Sequence, residues 1–365
     1  MLRKLFLAAT AAVSFFASTA QDSTKTLTVS GSIDGYYRYN FAGKTNNFTS
    51  FTNSQSSFEL GMASLRADAT ALSGKVGATV DLGFGRRAEE FSYNDGNDNP
   101  ALPALPKNGF LTLSAIKQAY VTYAPSAKVK FTAGKFATHV GYELVDAPLN
   151  RNYSMSYMFT NGPFFHTGVK ADITAGPIGF MIGLTNYTDQ TTATTSVKNL
   201  IAQVSGATKN GKLKAYLNYS GFAGSGEGEN PSTLKSLNQI DLVVMGTISS
   251  KFNIGYNGTV QSRKQIAGST VKDGSWIGNA LYLNFDPADK LGLTLRSEYI
   301  TDDKTVYFPA KNIFANTLSV NFKVGPLTII PEVRFESAQR TIFLKDNGAG
   351  TKSTASALVA AVYKF

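Results

Sequence analysis

The 365-residue sequence contains no cysteine and only two histidines, His139 and His166. Without cysteine there is no disulfide framework, no thiolate zinc site, no thiol nucleophile and no lipidated N-terminal cysteine. Charge is also scarce, at 16% Asp, Glu, Lys and Arg against roughly 25% in ordinary soluble domains. That excludes a disordered chain and a helical, Glu/Lys/Leu-rich enzyme. The net charge of +10 is carried by scattered basic residues in runs no longer than two, so no basic groove for nucleic acid is expected. Long apolar stretches are missing too, except at the start. There a charged pair (Arg3, Lys4), an apolar run from Leu5 to Ala17, and small residues Ser18 and Ala20 form a secretory (Sec) signal with a cut before Gln21. After Ala20 no apolar run is long enough for a transmembrane helix. Residues 1–20 are therefore expected to be a signal peptide and 21–365 a single domain.

What the sequence does have is glycine (33 residues), aromatics (12%) and alternation. Leu27, Val29, Ile33, Tyr37 and Tyr39 share one parity, while Thr28, Ser30, Ser32, Asp34 and Arg38 share the other, which is the signature of a strand wet on one face only. The dyad recurs at Val76 to Phe84, Phe165 to Ile173, Ile178 to Leu184, Leu213 to Tyr219, Ile240 to Ile248, Phe252 to Val260 and Ala355 to Phe365. Segments of about ten alternating residues match a tilted crossing of a bilayer's apolar core. Short turns such as Ser73-Gly74, Gly176-Pro177, Asn210-Gly211 and Gly325-Pro326 alternate with polar stretches such as Phe41 to Gln55, Arg87 to Phe110 and Ala338 to Ser353. The pattern predicts an all-β, transmembrane antiparallel β-barrel of about 16 strands, with short periplasmic turns, long extracellular loops and a water-filled lumen. Its place is the bacterial outer membrane, among lipids and lipopolysaccharide.

Three segments resist the scheme. Phe58, Leu60 and Met62 alternate in one phase and Leu65, Ala67 and Ala69 in the other, predicting a bulge near Ala63. Pro331 lacks the N–H that a closed sheet needs, predicting a second bulge. Asn279 weakens the outer face of Ile277 to Phe285. Aromatics near strand ends, among them Tyr123, Phe285, Tyr299, Phe322, Tyr363 and Phe365, suit interfacial girdles.

Ile116 to Tyr123 (IKQAYVTY), Ala124-Pro125-Ser126, Gly134-Lys135-Phe136 and the run from His139 to Lys170, with GYELVDAPLNRNYS and NGPFFHTGVK, resemble the OmpL-like β-barrel porins of Gram-negative outer membranes. The terminal Phe365 agrees. The resemblance implies a passive diffusion channel for small hydrophilic solutes and ions, without cofactor. It also implies insertion by the barrel assembly machinery through the C-terminal aromatic strand, and assembly as a homotrimer. It further implies that the third long loop, His139 to Pro163, folds inward to narrow the pore. Glu143 and Asp146 would then stand on one side, with Arg151 on the same loop and wall cations opposite. Lys135, just before the loop, would be the nearest such cation.

Inward parity also carries Arg38, Arg66, Lys117, Lys130, Lys170, Lys214, Arg263, Arg296, Lys323 and Arg334 against Asp34, Asp68, Asp81, Asp172, Asp241, Glu298, Glu332 and Glu336. This predicts a mild anion preference at most, with Lys170, Arg296 and Arg334 among the pore-lining groups. Other motifs fail. His139 and His166 lack a carboxylate at ligand spacing, so no metal site is expected. Gly206 to Lys212 mimics the start of a phosphate loop, but Leu213 replaces its Ser/Thr and Asn210-Gly211 reads as a hairpin. Asn94 to Asn99 has calcium-like oxygens, yet Pro106 stands where a Glu is needed. The alternative to a porin is a barrel used as a hydrolase or adhesin, and a hydrolase would have only the two histidines as imidazole bases.

Overall fold

A computed structural model of the protein describes residues 25–95, 111–193, 196–223, 234–266, 272–302, 304–305 and 308–365. The predicted signal peptide and most of Asn94 to Asn99 lie outside the described residues. The strands are β1 (Thr26–Asn40), β2 (Ser57–Ala71), β3 (Val76–Phe84), β4 (Ile116–Ser126), β5 (Val129–Ala137), β6 (Phe165–Ala175), β7 (Ile178–Asn186) and β8 (Lys198–Ala207). They continue as β9 (Leu213–Ala223), β10 (Leu234–Thr247), β11 (Phe252–Gln265), β12 (Gly274–Ala288), β13 (Leu291–Thr301), β14 (Asn312–Val324) and β15 (Leu327–Ala338). A two-stranded ribbon, β16 (Phe343–Leu344) with β17 (Gly350–Thr351), decorates the last loop before β18 (Ser353–Lys364).

Apart from the ribbon, the sixteen strands form one closed antiparallel barrel in which each pairs with its sequence neighbours and β18 closes on β1. Closure satisfies every strand edge, the condition for exposing a sheet to hydrocarbon. At the seam, Gly31 and Phe365 exchange backbone bonds of 3.0 Å in both directions. A Cβ on Gly31 would lie 2.4 Å from the Ser64 carbonyl oxygen and 2.6 Å from the Phe365 ring, so glycine alone fits between β2 and the terminal aromatic. The outer face is apolar: Leu27, Val29, Ile33, Val121, Ile182, Leu217 and Val359 are all exposed. Inside, Ser32, Asp34, Arg38, Asp241, Arg296 and Glu332 are buried.

The irregular segments have specific solutions. Register slips between Asp34, opposite Met62, and Gly35, opposite Leu60, so the bulge expected near Ala63 is present, with Gly61 as the extra residue in β2. Met62, which alternation placed outside with Phe58 and Leu60, is instead turned inward and fully buried. Pro331 causes no bulge. Facing β14, the pairing passes from Ser319↔Glu332 to Phe322↔Ile329 in unchanged register, while on the other side Pro331 pairs with Val359. The ladder drops contacts beside the missing N–H and resumes. On the lipid face Asn279 accepts a 2.6 Å bond from the Tyr256 hydroxyl, and Asn238 a 2.7 Å bond from Tyr219. A tyrosine on the next strand thus satisfies each amide that interrupts the apolar face. The segment that holds Gly206 to Lys212 is the β8–β9 hairpin, with Gly211 at φ 67°.

Candidate functional site

The third long loop, residues 138–164, leaves β5 and returns to β6 by way of the opposite wall. Its outward leg touches β10 and β11, where the Gly141 N–H donates to Asp241 (3.0 Å) and the Tyr142 N–H to Asn257 (3.3 Å). Tyr142 then stacks on Tyr282 of β12, with ring centroids 4.0 Å apart. Arg151 grips Asp286 with both terminal nitrogens (2.9 and 2.7 Å) and donates through Nε to Thr294. Asn152 donates to Ser319 (2.6 Å), and the Tyr153 N–H to Glu332 (2.8 Å). The loop ends in a short helix (Tyr157–Asn161), which Ser156 caps by accepting from the Phe159 N–H.

Wall and loop meet in a buried ion cluster. Arg296 of β13, with 0% exposure, is within 2.5 Å of Glu143 and 3.1 Å of Glu298, and donates to the Ser154 and Met155 carbonyls and to Thr317. Arg334 of β15 pairs with Glu298 (2.8 Å) and Glu336 (3.1 Å) and lies over the Tyr157 ring. Tyr157 gives its N–H to Glu298 (2.8 Å) and its hydroxyl to Glu336 (2.7 Å). Such a cluster persists in low dielectric only because almost every charge meets an opposite charge and further polar groups.

The bulge in β2 serves this loop. The Tyr153 hydroxyl donates to Asp34 at 2.5 Å, and a Cβ on Gly61 would sit 1.9 Å from that Asp34 oxygen and 2.4 Å from the hydroxyl. Gly61→Ala is expected to push Tyr153 off Asp34 at a cost of about 1–3 kcal/mol, the usual price of overpacking. The check is the unfolding midpoint of the detergent-purified protein; an unchanged midpoint would mean the bulge carries no load.

Loops one and two pack onto the third. Phe51, Phe91, Val145, Met155, Phe159, Phe164 and Phe165 form a buried apolar cluster inside the half of the barrel that carries the long loops. Arg87, on α1 (Arg86–Phe91), is 0% exposed; its guanidinium lies 4.8 Å from both the Phe51 and Tyr153 rings and donates to the Val145 and Tyr153 carbonyls. Lys135 also serves this packing. It is 3% exposed, pairs with Asp95 of the second loop at 2.7 Å and lies over the Phe165 ring at 3.9 Å.

The seven residues singled out from sequence therefore divide. Glu143, Arg296, Arg334 and Lys135 are buried and paired, holding loops to the wall or to one another. Asp146, Arg151 and Lys170 keep partial exposure, with partners Lys117 (2.5 Å), Asp286 and Asp172 (3.1 Å). Arg151 lines a cavity of about 420 Å³ on the turn side of the loop, with Tyr142, Tyr216, Asn218 and Asn284. A second space, about 260 Å³, lies on the long-loop side between Asn161, Asp189, Gln239 and Arg263. Sequence reasoning missed Arg87, Asp286 and Asp95 as anchors. Asp286 alone left a trace: it directly precedes Pro287 in a turn and sits on inward parity with Asn284.

The His139 and His166 rings lie 5.5 Å apart, tilted by 40° to each other, and His139 Nε2 meets the Tyr219 carbonyl at 3.0 Å. Burial pulls His139 down to about 4, so it stays neutral. Among the described residues no group of three His, Asp or Glu side chains is placed to hold a metal ion.

Asp189, in the loop after β7, accepts the Phe164 and Phe165 N–H groups at 2.6 and 3.0 Å and the Tyr93 hydroxyl at 3.2 Å. Burial outweighs these bonds and raises its carboxyl to about 6. The folded protein then holds this proton where the unfolded chain has lost it. Its contribution is complete below about 3.8 and is lost as pH rises through about 6, with a full span of roughly 3 kcal/mol. Asp189→Asn is expected to flatten that part of the stability profile between pH 4 and 6. Unfolding midpoints of both proteins across this range are the measurement, and parallel profiles would contradict the assignment.

A closed sixteen-stranded barrel, greasy outside, polar inside and crossed by its third loop, is the architecture of outer-membrane porins. The family described as "Putative beta-barrel porin-2, OmpL-like" matches residues 26–365, and the chain belongs to it. Among solved structures, the outer membrane channel DcaP of Acinetobacter baumannii superposes with a TM-score of 0.64 at 14% identity, covering 94% of this chain and 98% of that one. An anion-selective porin from Comamonas acidovorans gives 0.62 at 12% identity, covering 93% and 100%. OmpT of Vibrio cholerae in a trimer form gives 0.59 at 13%, covering 94% and 100%. At such identities the likeness is one of fold. Among curated proteins, none matches the sequence.

Proposed function

We propose that the protein is a passive, water-filled channel for small hydrophilic solutes and ions across the outer membrane, with the third loop as its constriction. The observation that supports this most directly is the course of that loop: it crosses the polar lumen and is tied to β12–β15 by bonds from Arg151, Asn152, Tyr153 and Tyr157. Spaces whose walls mix polar and apolar side chains lie on both sides of it. Solutes are sorted first by size at the loop. Charge at the constriction is largely cancelled, because Glu143 meets Arg296 and Arg151 meets Asp286. Arg151, Asp146 and Lys170 are the partly exposed charges beside the path. Outer-membrane insertion through the Phe365 strand and assembly as a homotrimer complete the reading. Discrete, ohmic conductance steps from purified protein in planar bilayers, with swelling of proteoliposomes in small sugars but not large ones, are the expected results. A folded barrel that gives neither current nor swelling would overturn it.

A further inference from the structure

The seven short turns share a feature that size sorting leaves unused. In each, the carbonyl of the residue just ahead of the outgoing strand accepts a backbone bond from the adjacent strand. Lys75 accepts from Ala124, Lys128 from Thr174, Lys212 from Thr247, Lys251 from Asp286 and Lys290 from Lys323, at 2.7 to 2.9 Å. Pro177 and Pro326 occupy the same position in the other two turns, accepting from Ala207 (3.3 Å) and Lys364 (3.2 Å). These bonds keep the five exposed lysines in register with the sheet. Each is followed by the first apolar residue of the outer face: Val76, Val129, Leu213, Phe252 or Leu291. Alternation therefore assigns all five to the lumen-facing parity, at the rim of the periplasmic mouth.

The rim is reinforced rather than cancelled. Lys130 and Lys214 repeat the parity two residues further in, and Lys323 and Lys364 flank Pro326 on the neighbouring strands. Against these nine lysines stand, among the described residues, Asp68, which Arg66 holds at 2.7 Å, and Asp172, Asp286 and Asp289. Asp172 is engaged with Lys170 and Lys130, and Asp286 with Arg151 and Lys323. Outgoing strands are every second strand, so successive rim positions are about 10 Å apart. That is close to the Debye length of roughly 8–10 Å at physiological salt, so the fields of neighbouring lysines merge into a collar.

Building on the channel reading, we propose that the periplasmic mouth is a lysine collar that collects small multivalent anions, such as polyphosphates and polycarboxylates, and makes the pore anion-preferring at that end. Lys75→Gln, Lys128→Gln, Lys212→Gln, Lys251→Gln and Lys290→Gln together remove the five rim charges without touching the third loop. Wild type in a salt gradient is expected to show a reversal potential of anion sign, and inorganic triphosphate to block current from the turn side more strongly than from the loop side. In the fivefold variant the reversal potential moves toward zero and the block weakens at least about tenfold. Conducting channels whose reversal potential and block are the same in both proteins would overturn the collar while leaving the channel intact.

If neither protein conducts, the channel reading fails, and triphosphate binding to the folded, detergent-purified proteins decides the collar. Binding lost in the variant keeps it, and equal binding ends it. Phosphatidylglycerol bicelles that displace the triphosphate would reassign the lysines to the lipid surface and overturn the proposal. Should the fivefold variant fail to fold, the Lys75→Gln, Lys128→Gln, Lys251→Gln triple is read in the same way.

Discussion

Arg296→Met is expected to lower the barrel's stability by about 3–5 kcal/mol, the cost of stranding buried charges, and to raise and destabilise its open-channel current. The guanidinium has no access to water, so water cannot compensate for its loss. Glu143 would keep only the Ser156 N–H, and the carbonyls of Ser154 and Met155 would lose their donor from β13. Glu298 would still have Arg334. The burden therefore falls on Glu143, and with it on the loop. Adding Glu143→Gln to Arg296→Met should recover part of the stability, since it removes the stranded charge; the non-additivity of this cycle measures the coupling. By contrast, disrupting the half-exposed Arg66–Asp68 pair should cost about 0–1 kcal/mol. Unfolding midpoints in detergent and single-channel recordings are the two readouts. An Arg296→Met protein with wild-type midpoint and quiet, unaltered current would show that the cluster does not hold the loop.

The second large effect is expected from replacing Tyr142 to Tyr157 with a short glycine–serine bridge. Conductance should rise several-fold, as a pore's conductance grows with its narrowest cross-section, and larger sugars should enter proteoliposomes. The replacement removes Val145 and Met155 from the apolar cluster and takes the Tyr153 ring from Arg87, so a lower unfolding midpoint is expected as well. The variant must therefore be shown to run as a folded barrel before its current is read. An unchanged current from folded protein would move the constriction to loops one and two.

The barrel was legible because alternation is a local property. Each strand reports its own inner and outer face, and the turns report their own chemistry, so strand number and topology follow without knowledge of the interior. The interior depends on where a loop travels, and that is written nowhere locally. Glu143 and Arg296 are 153 positions apart, and Lys135 meets Asp95 from 40 positions away. Parity identified Arg296, Arg334, Glu298 and Glu336 as inward but could not show that Tyr157 would reach them and take them out of water. The same limit explains the β2 bulge. The phase change was visible, yet Met62 looked like an outer residue because alternation cannot distinguish lipid from an apolar pocket inside the barrel. Only the register of Asp34 and Gly35 fixes the extra residue at Gly61.

The route of the third loop has a mechanical consequence. In a ring of sixteen strands, β5 and β6 lie about half a circumference from β13–β15. A single-layered cylinder resists stretching along its hydrogen bonds but is easily flattened, since ovalisation only bends the sheet. A segment joined covalently to β5 and β6 at its two ends and bonded to the opposite wall through Tyr153 and Tyr157 is a diametral strut. It resists flattening along one diameter, so lateral pressure from the bilayer is met by a braced tube. The shape of the pore and the stiffness of its wall are then set by the same few bonds.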